Sequence, residues 1–180
     1  MYAGMREVVY MKKKRALSAT VLCMLLLAAD QLTKLFAVSV LREQDITVIP
    51  HVLSLTYVEN RGAAFGIFQN QKVFFFLITA VMIAVFLYCY VRLLEQESYR
   101  LLRILCITFT SGAAGNLIDR IFRGYVVDMI YFMPINFPVF NVADCYITVS
   151  AAVLLIALFF CYKDDDFSFL KPSGKEGKKG

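Results

Sequence analysis

The sequence predicts a mainly α-helical membrane protein with four transmembrane helices and a small extracytoplasmic β-sheet subdomain. Of its 180 residues, 59% are hydrophobic and only 18% are charged, whereas soluble domains are about 45–50% apolar and about 25% charged. Four apolar segments each have close to the roughly 20 residues that cross the hydrocarbon core of a bilayer. A segment rich in β-branched and aromatic residues lies between the first two. We expect residues 1–180 to form a single integral membrane domain.

The first span is expected over residues 16–41. A basic stretch precedes it, as in a secretory signal peptide, but no small-residue cleavage site followed by a soluble domain appears, so we interpret it as a retained helix. Asp30 and Lys34 interrupt its second half, and their i,i+4 spacing allows them to pair on one helix face. Two interpretations remain open: a structural pair with Lys34 snorkelling outward, or a direct part in chemistry.

Residues 42–69 are expected to form short strands, because β-branched and aromatic residues alternate there between turn residues. In such a strand Leu53, Leu55 and Tyr57 share one face. Asn60 then opens a polar turn, Asn60-Arg61-Gly62, which leads into small residues. By itself this turn is a weak functional signal, and an ordinary loop explains it equally well.

The remaining spans are predicted over residues 73–93, 101–118 and 142–162. The third ends in Gly112-Ala113-Ala114-Gly115, small residues that allow a neighbouring helix to approach closely. The polar, glycine-rich tail, residues 163–180, is expected to be disordered.

The distribution of basic residues predicts that both termini are cytoplasmic. Thirteen lysines and arginines fall at the N-terminus, between the second and third spans, and in the tail, against five on the opposite side. Cytoplasmic segments carry the excess of such residues. The segment 42–69 and the stretch 119–141 would therefore share the outer face of a cytoplasmic (inner) membrane that the chain crosses several times.

Composition also excludes several classes of function. The net charge of +5 is explained by membrane orientation, so we expect no nucleic-acid partner. The five cysteines all lie in apolar runs without C-x-x-C spacing, and the single histidine, His51, adjoins a predicted strand. Neither pattern is typical of a metal site. We expect no metal and no cofactor.

Three carboxylates lie in residues 111–144, which connect the third span to the fourth. They are Asp119, Asp128 and Asp144. Carboxylates this close to apolar sequence are costly, so they are usually functional or paired. Asp128, which we place in the connecting loop, and Asp144, at the start of the fourth helix, are expected to face each other across a site at the membrane surface. A close carboxylate pair shares one proton and supplies both a general acid and a general base.

Structural explanations of the same acids remain open at this point. Asn141-x-x-Asp144 fits a helix cap with an acid at its third position. Asp119 and Arg120 would form a local ion pair that ends the third helix. An ion-coupled carrier would also use acids near the membrane, but no inverted repeat is apparent. A non-catalytic scaffold would not need several polar residues to converge on two acids.

Five ordered motifs indicate a family. They are Asp30-Gln31-x-Thr33-Lys34, Asn60-Arg61-Gly62-Ala63-Ala64-Phe65, Gly112 to Arg120, Val126-Val127-Asp128 and Phe140-Asn141-Val142-Ala143-Asp144. Together they resemble the bacterial lipoprotein signal peptidase family, also called signal peptidase II, over residues 16–162. One departure is Ser111, where the family usually has glycine; a small residue replaces a small one, so only local packing is affected.

The resemblance implies an aspartic endopeptidase that removes the signal peptide from prolipoproteins whose cleavage-site cysteine carries diacylglycerol, cutting on the N-terminal side of that cysteine. The family's catalytic aspartates would be Asp128 and Asp144. Its substrate-binding residues would be Asn60, Asn116, Arg120, Asn141 and Asp30. The implied partners are these prolipoproteins and membrane lipids, and the protein is expected to act as a monomer.

Overall fold

Four long helices form most of the chain in the computed structural model, which describes residues 2–62, 72–94 and 97–162. All four are long and apolar enough to cross a membrane, as the four hydrophobic segments predict. In chain order they are α1 Tyr2–Phe36, α2 Lys72–Leu93, α3 Arg100–Phe122 and α4 Val142–Phe160.

The central helix of the bundle is α3, which contacts the other three. Most of α3 is buried, whereas the other spans are largely exposed, as expected of surfaces that face lipid. Its small residues allow the close packing that the sequence predicts. A Cβ atom on Gly112 would lie 2.5 Å from the carbonyl oxygen of Ala143 in α4, and one on Gly115 would overlap the carboxylate of Asp30 in α1.

A three-stranded antiparallel sheet, in the order β1-β2-β3, covers one end of the bundle. Its strands are β1 Ile46–Ile49, β2 Leu53–Asn60 and β3 Val126–Phe132. The first two strands confirm the prediction for residues 46–60. The rest of the predicted β-like segment beyond Gly62, like the tail 163–180, lies outside the described residues.

The third strand corrects one prediction. Asp128 does not lie in a loop: it is in β3, paired with Val58 of β2. The strand therefore joins two segments that are far apart in the sequence, residues 46–60 and 126–132, in one sheet. The sheet packs on the end of α1, where a π-helical turn, Ala37–Leu41, continues the helix. Ala37 and Leu41 pack there against Val127 and Met129 of β3.

The bundle thus has two distinct ends. We call the end that carries the sheet the sheet end; α1 and α3 finish there, and α2 and α4 begin there. The opposite end, which we call the termini end, contains the start of α1 and the end of α4. A cluster of apolar side chains from α2, α3 and the turn between them fills the termini end: Tyr90, Leu93, Tyr99, Leu102, Leu105, Cys106 and Ile107.

Candidate active site

Asp144 lies in the first turn of α4, where Asn141 caps the helix. The Asp144 backbone N–H donates to the Asn141 side-chain oxygen at 3.0 Å, and the Asn141 backbone N–H donates to Asp144 Oδ2 at 3.1 Å. This is the capping box that the spacing allows. The cap uses only one carboxylate oxygen. The other, Oδ1, accepts a hydrogen bond of 2.7 Å from Asn116 Nδ2 in α3.

Asp128 is almost fully buried in β3, with 1% of its surface exposed. Its Oδ1 atom accepts a hydrogen bond of 2.6 Å from Asn141 Nδ2. Its Oδ2 atom accepts one of 2.9 Å from Asn60 Nδ2, at the end of the neighbouring strand β2. Asn60 is itself oriented by the Gly62 N–H, which donates to its side-chain oxygen at 3.0 Å. The polar turn after β2 therefore contributes directly to the site.

Two asparagine side chains join these carboxylates, which we call the aspartate pair. Asn141 Nδ2, which donates to Asp128, also lies 3.2 Å from Asn116 Oδ1 as a second donor contact. Asn116 in turn donates to Asp144. A continuous hydrogen-bonded path thus connects Asp128 to Asp144 through two amides. It uses residues from β3, α3 and the start of α4, elements that are far apart in the sequence but meet at the sheet end.

The environment of Asp128 favours a bound proton. Burial and, to a smaller extent, the nearby charge of Asp144 raise its pKa to about 7, against the lowering effect of hydrogen bonds from Asn60 and Asn141. At neutral pH a carboxyl with this pKa exchanges its proton readily. The pair can therefore supply one proton donor and one proton acceptor.

Arg120 lies on α3 at the edge of the site. Its Nη1 atom donates to the backbone oxygen of Asn116 at 3.3 Å. Its positive charge interacts with the carboxylates of Asp144, Asp128 and Asp119. It is only partly buried, so it combines access to solvent with proximity to the acids.

The structure places Asp30 behind the aspartate pair. Its side chain is fully buried and pairs with Lys34 at 3.0 Å, as the i,i+4 spacing predicts. Lys34 is also fully buried, so the interpretation in which it snorkels outward is wrong. Asp30 is thus enclosed by protein groups, while Asn60, Asn116 and Asn141 contact the pair itself.

The close ion pairs of Asp119 involve residues other than its predicted partner Arg120, although the charges of Asp119 and Arg120 do interact. Neighbouring residues point in different directions around a helix, whereas residues four apart share a face. Asp119 accordingly pairs with Arg123 in its own helix and with Lys34 of α1, at 3.1 Å. The helix also does not end at residue 118; it continues to Phe122, so Asp119 lies within it.

A polar and aromatic cluster on the sheet, next to Asn60, was not anticipated from the sequence. Arg42 Nη2 donates to Tyr57 Oη at 3.1 Å, and Tyr57 donates to Glu59 Oε1 at 3.1 Å. Arg61 pairs with Glu59 at 2.7 Å and lies over the ring of Tyr125. Burial and hydrogen bonds with Tyr125 and Glu59 raise the pKa of Tyr57 to about 12, against the lowering effect of Arg42, so Tyr57 remains a neutral donor. The alternation of charged and aromatic residues after Leu41 was its only sequence signal.

The side chains at this site, as far as the structure describes them, are not arranged as a metal centre. Among residues 2–62, 72–94 and 97–162, no group of three or more His, Cys, Asp or Glu side chains is arranged to hold a metal ion. The polar groups at the site are amides and carboxylates already engaged with one another. Their chemistry is that of hydrogen bonding and proton transfer.

The fold and the site together define a class: a multi-pass membrane protein with a carboxylate pair, Asp128 buried and Asp144 half-buried, at one end of a four-helix bundle. Two solved structures, both described as bacterial membrane enzymes and determined by the in meso method, resemble it. One has a TM-score of 0.68 at 28% identity and covers 87% of this chain and 93% of its own. The other has a TM-score of 0.69 at 30% identity and covers 81% and 94%.

Sequence comparisons give the family. The family model for signal peptidase (SPase) II matches residues 22–160. A lipoprotein signal peptidase of Streptococcus thermophilus is 41% identical over 146 residues, which are 81% of this chain and 94% of that relative. One from Streptococcus pneumoniae is 42% identical over 147 residues, with the same coverage. The chain therefore belongs to the signal peptidase II family, a family of membrane proteases, as its ordered motifs indicate.

Proposed function

We propose that this protein is an intramembrane aspartic endopeptidase that removes the signal peptide from diacylglyceryl-modified prolipoproteins. The observation that carries the proposal is the aspartate pair, joined through Asn141 and Asn116 at the sheet end of the bundle. The family membership supports a protease, and the relatives' name, lipoprotein signal peptidase, supports the substrate class.

The pair provides what hydrolysis of a peptide bond requires. Asp128, whose pKa is raised to about 7, holds the proton at rest, and Asp144 is ionised. Asp144 takes a proton from a water molecule as the water oxygen bonds to the scissile carbonyl carbon. Asp128 then gives its proton to the leaving amide nitrogen as the C–N bond breaks. The products are a carboxylic acid and an amine, and the shared proton has moved from Asp128 to Asp144.

The surrounding residues have separate roles in this proposal. Asn60 and Asn141 orient Asp128, and Asn116 orients Asp144, through the hydrogen bonds described above. Arg120, at the more accessible edge, is suited to bind a carbonyl oxygen of the substrate. Asp30, which is buried, supports the site without touching the substrate.

The layout also fits a substrate anchored in the bilayer. Positively charged residues concentrate at the termini end and between α2 and α3, thirteen against five, which supports a cytoplasmic location for both termini. The sheet and the aspartate pair would then lie at the outer surface of the cytoplasmic membrane. A signal helix in the bilayer and a lipid in the outer leaflet present their junction at that surface. Cysteine labelling at both ends tests this orientation, and external labelling of the C-terminus would contradict it.

The function is tested with purified protein and two forms of one prolipoprotein, with and without diacylglycerol on the cleavage-site cysteine. We expect cleavage of the modified form only, with a product whose first residue is the lipidated cysteine, as read by mass spectrometry. Absence of cleavage, or a cut at another bond, would overturn the proposal. If the unmodified form were cleaved equally well, the protein would still be a protease, but the diacylglyceryl group would not be part of what it recognises.

A further inference from the structure

Lys34 occupies the centre of a buried polar network behind the aspartate pair. Its ammonium nitrogen lies 3.0 Å from Asp30 Oδ2 and 3.1 Å from Asp119 Oδ2. It donates a third hydrogen bond, of 2.9 Å, to Asn116 Oδ1. A lysine ammonium has three donors and no acceptor. All three donors are therefore used, by partners from two different helices.

The two carboxylates that Lys34 joins each hold the backbone directly before a member of the aspartate pair. Asp30 Oδ1 accepts a hydrogen bond of 3.0 Å from the N–H of Ala143, the residue before Asp144. Asp119 Oδ2 accepts one of 3.1 Å from the N–H of Val127, the residue before Asp128. Lys34 thus closes a bridge between the backbone of α4 and the backbone of β3. The bridge is a direct physical link between the two segments that carry the pair.

The contact with Asn116 adds a second constraint. Because Lys34 can only donate, it requires the Asn116 side-chain oxygen to face it, which turns Nδ2 towards Asp144. A reversed amide would place two donors against each other and an oxygen against the carboxylate. Lys34, with a second donor from Asn141 Nδ2, therefore fixes which group Asn116 presents to Asp144.

Charge balance alone does not account for this arrangement. Asp30, Lys34, Asp119 and Arg123 form an alternating chain of two acids and two bases. Neutralising the buried acids would need only nearby cations. The observed contacts go further, because both acids hold the residues next to the pair and the cation holds the amide that contacts it.

We propose that Lys34 is a positioning residue that sets the distance and orientation between Asp128 and Asp144. The inference rests on the proposed function of the pair and adds to it a residue that does not touch the substrate. Displacing reacting groups by about 1 Å can cost about 100-fold in rate. Loss of the bridge should therefore lower kcat much more than it changes KM.

The test compares Lys34→Met with Arg103→Met in purified full-length protein. Arg103 is a suitable control because it is also a buried cation, donating to the Leu93 carbonyl oxygen at 3.0 Å, but at the termini end. Lys34→Met should lower kcat per folded molecule about 100-fold and leave KM within about threefold. Arg103→Met should lower the melting temperature and leave kcat unchanged. Amide hydrogen exchange at Val127 and Ala143 should accelerate in Lys34→Met only.

A second variant keeps the test decisive if Lys34→Met does not fold. Asp30→Asn/Lys34→Met removes one acid with one base, so the remaining Asp119 and Arg123 stay balanced. The Asp30→Asn substitution also keeps an acceptor oxygen for the Ala143 N–H. We expect this double variant to fold and to show the same loss of kcat, because it too lacks the bridge through Lys34.

The outcomes separate this inference from the proposed function. A folded Lys34 variant with wild-type kcat would overturn the positioning role, while an inactive Asp144→Asn variant in the same assay would leave the proposed function intact. If wild-type protein cleaved no lipidated prolipoprotein, the proposed function itself would fail. Unchanged exchange at Val127 and Ala143 in the Lys34→Met variant would also contradict the bridge.

Discussion

The two ends of the helix bundle are stabilised by different kinds of contact. At the sheet end, Asp30, Lys34, Asn116, Asp119 and Asn141 are all buried and linked by hydrogen bonds and ion pairs. At the termini end the interior is an apolar cluster. Buried charges contribute little net stability compared with apolar packing. The concentration of buried charges at the sheet end is therefore better explained by a functional role of that end than by stability.

The groups that line the interior also differ between the two ends. A cavity of about 400 Å³ lies between α2, α3 and α4 towards the termini end, lined only by apolar side chains and cysteines. At the sheet end, by contrast, polar groups hydrogen-bond to one another, and Lys34 and Asn116 each have several partners. Within the described residues, Thr110 Oγ1 is the one buried side-chain polar atom that lacks a hydrogen-bond partner. An apolar cavity at the termini end thus contrasts with a hydrogen-bonded polar network at the sheet end.

Changes in the polar shell at the sheet end should have the largest effect on activity. Asn116→Ala removes the partner of both Lys34 and Asp144, and we expect turnover to fall about 100-fold in a protein that still folds. Turnover and melting temperature measured on the same samples check this. If Asn116→Ala, Arg120→Ala and Asn141→Ala all kept full activity, the site would be in the wrong place.

The opposite result is expected at the termini end. Leu102 is buried in the apolar cluster, so Leu102→Ala should lower the free energy of unfolding by about 2 kcal/mol. This is the low end of the range for soluble cores, because lipid also solvates apolar side chains. Turnover per folded molecule should not change. A loss of turnover in folded Leu102→Ala would show that the two ends are coupled.

A smaller effect concerns pH and the stability of the sheet end. Because the pKa of Asp128 is raised from 3.8 to about 7, the native state binds a proton that the unfolded chain releases at lower pH. The free energy of unfolding then decreases as pH rises from about 4 to about 7. Asp128→Asn cannot ionise, so its melting temperature relative to wild type should rise between pH 5 and pH 8. A difference that stays constant with pH would contradict the raised pKa.

The sequence predicts the spans better than it predicts the site. The extent of the apolar segments alone places α2 and α4 within two residues of their observed bounds, because a helix that crosses lipid needs a continuous apolar run. The strand β3 was missed because the buried Asp128 interrupts its apolar pattern, although Val126, Val127, Ile130 and Tyr131 have strand propensity. The aspartate pair was identified because its motifs are distinctive.

The network behind the pair was beyond sequence reasoning for a physical reason. The links that α1 makes to α3 and α4 join residues 82–113 positions apart, such as Lys34 to Asn116 and Ala143 to Asp30. Their proximity depends on how α1 packs against α3 and α4, which Gly112 and Gly115 permit. Local spacing gives only the i,i+4 pairs, Asp30 with Lys34 and Asp119 with Arg123.

The central claim is that Asp128 and Asp144 act as one catalytic unit at the sheet end. Its most direct test is turnover of a lipidated prolipoprotein per folded molecule for Asp128→Asn, Asp144→Asn and the double variant, with melting temperatures measured in parallel. Each single substitution should abolish cleavage, because an amide cannot complete the proton-transfer cycle. The double variant should be little worse than either single one, since residues that act as a unit are not additive. Substantial activity in either folded single variant would contradict the claim.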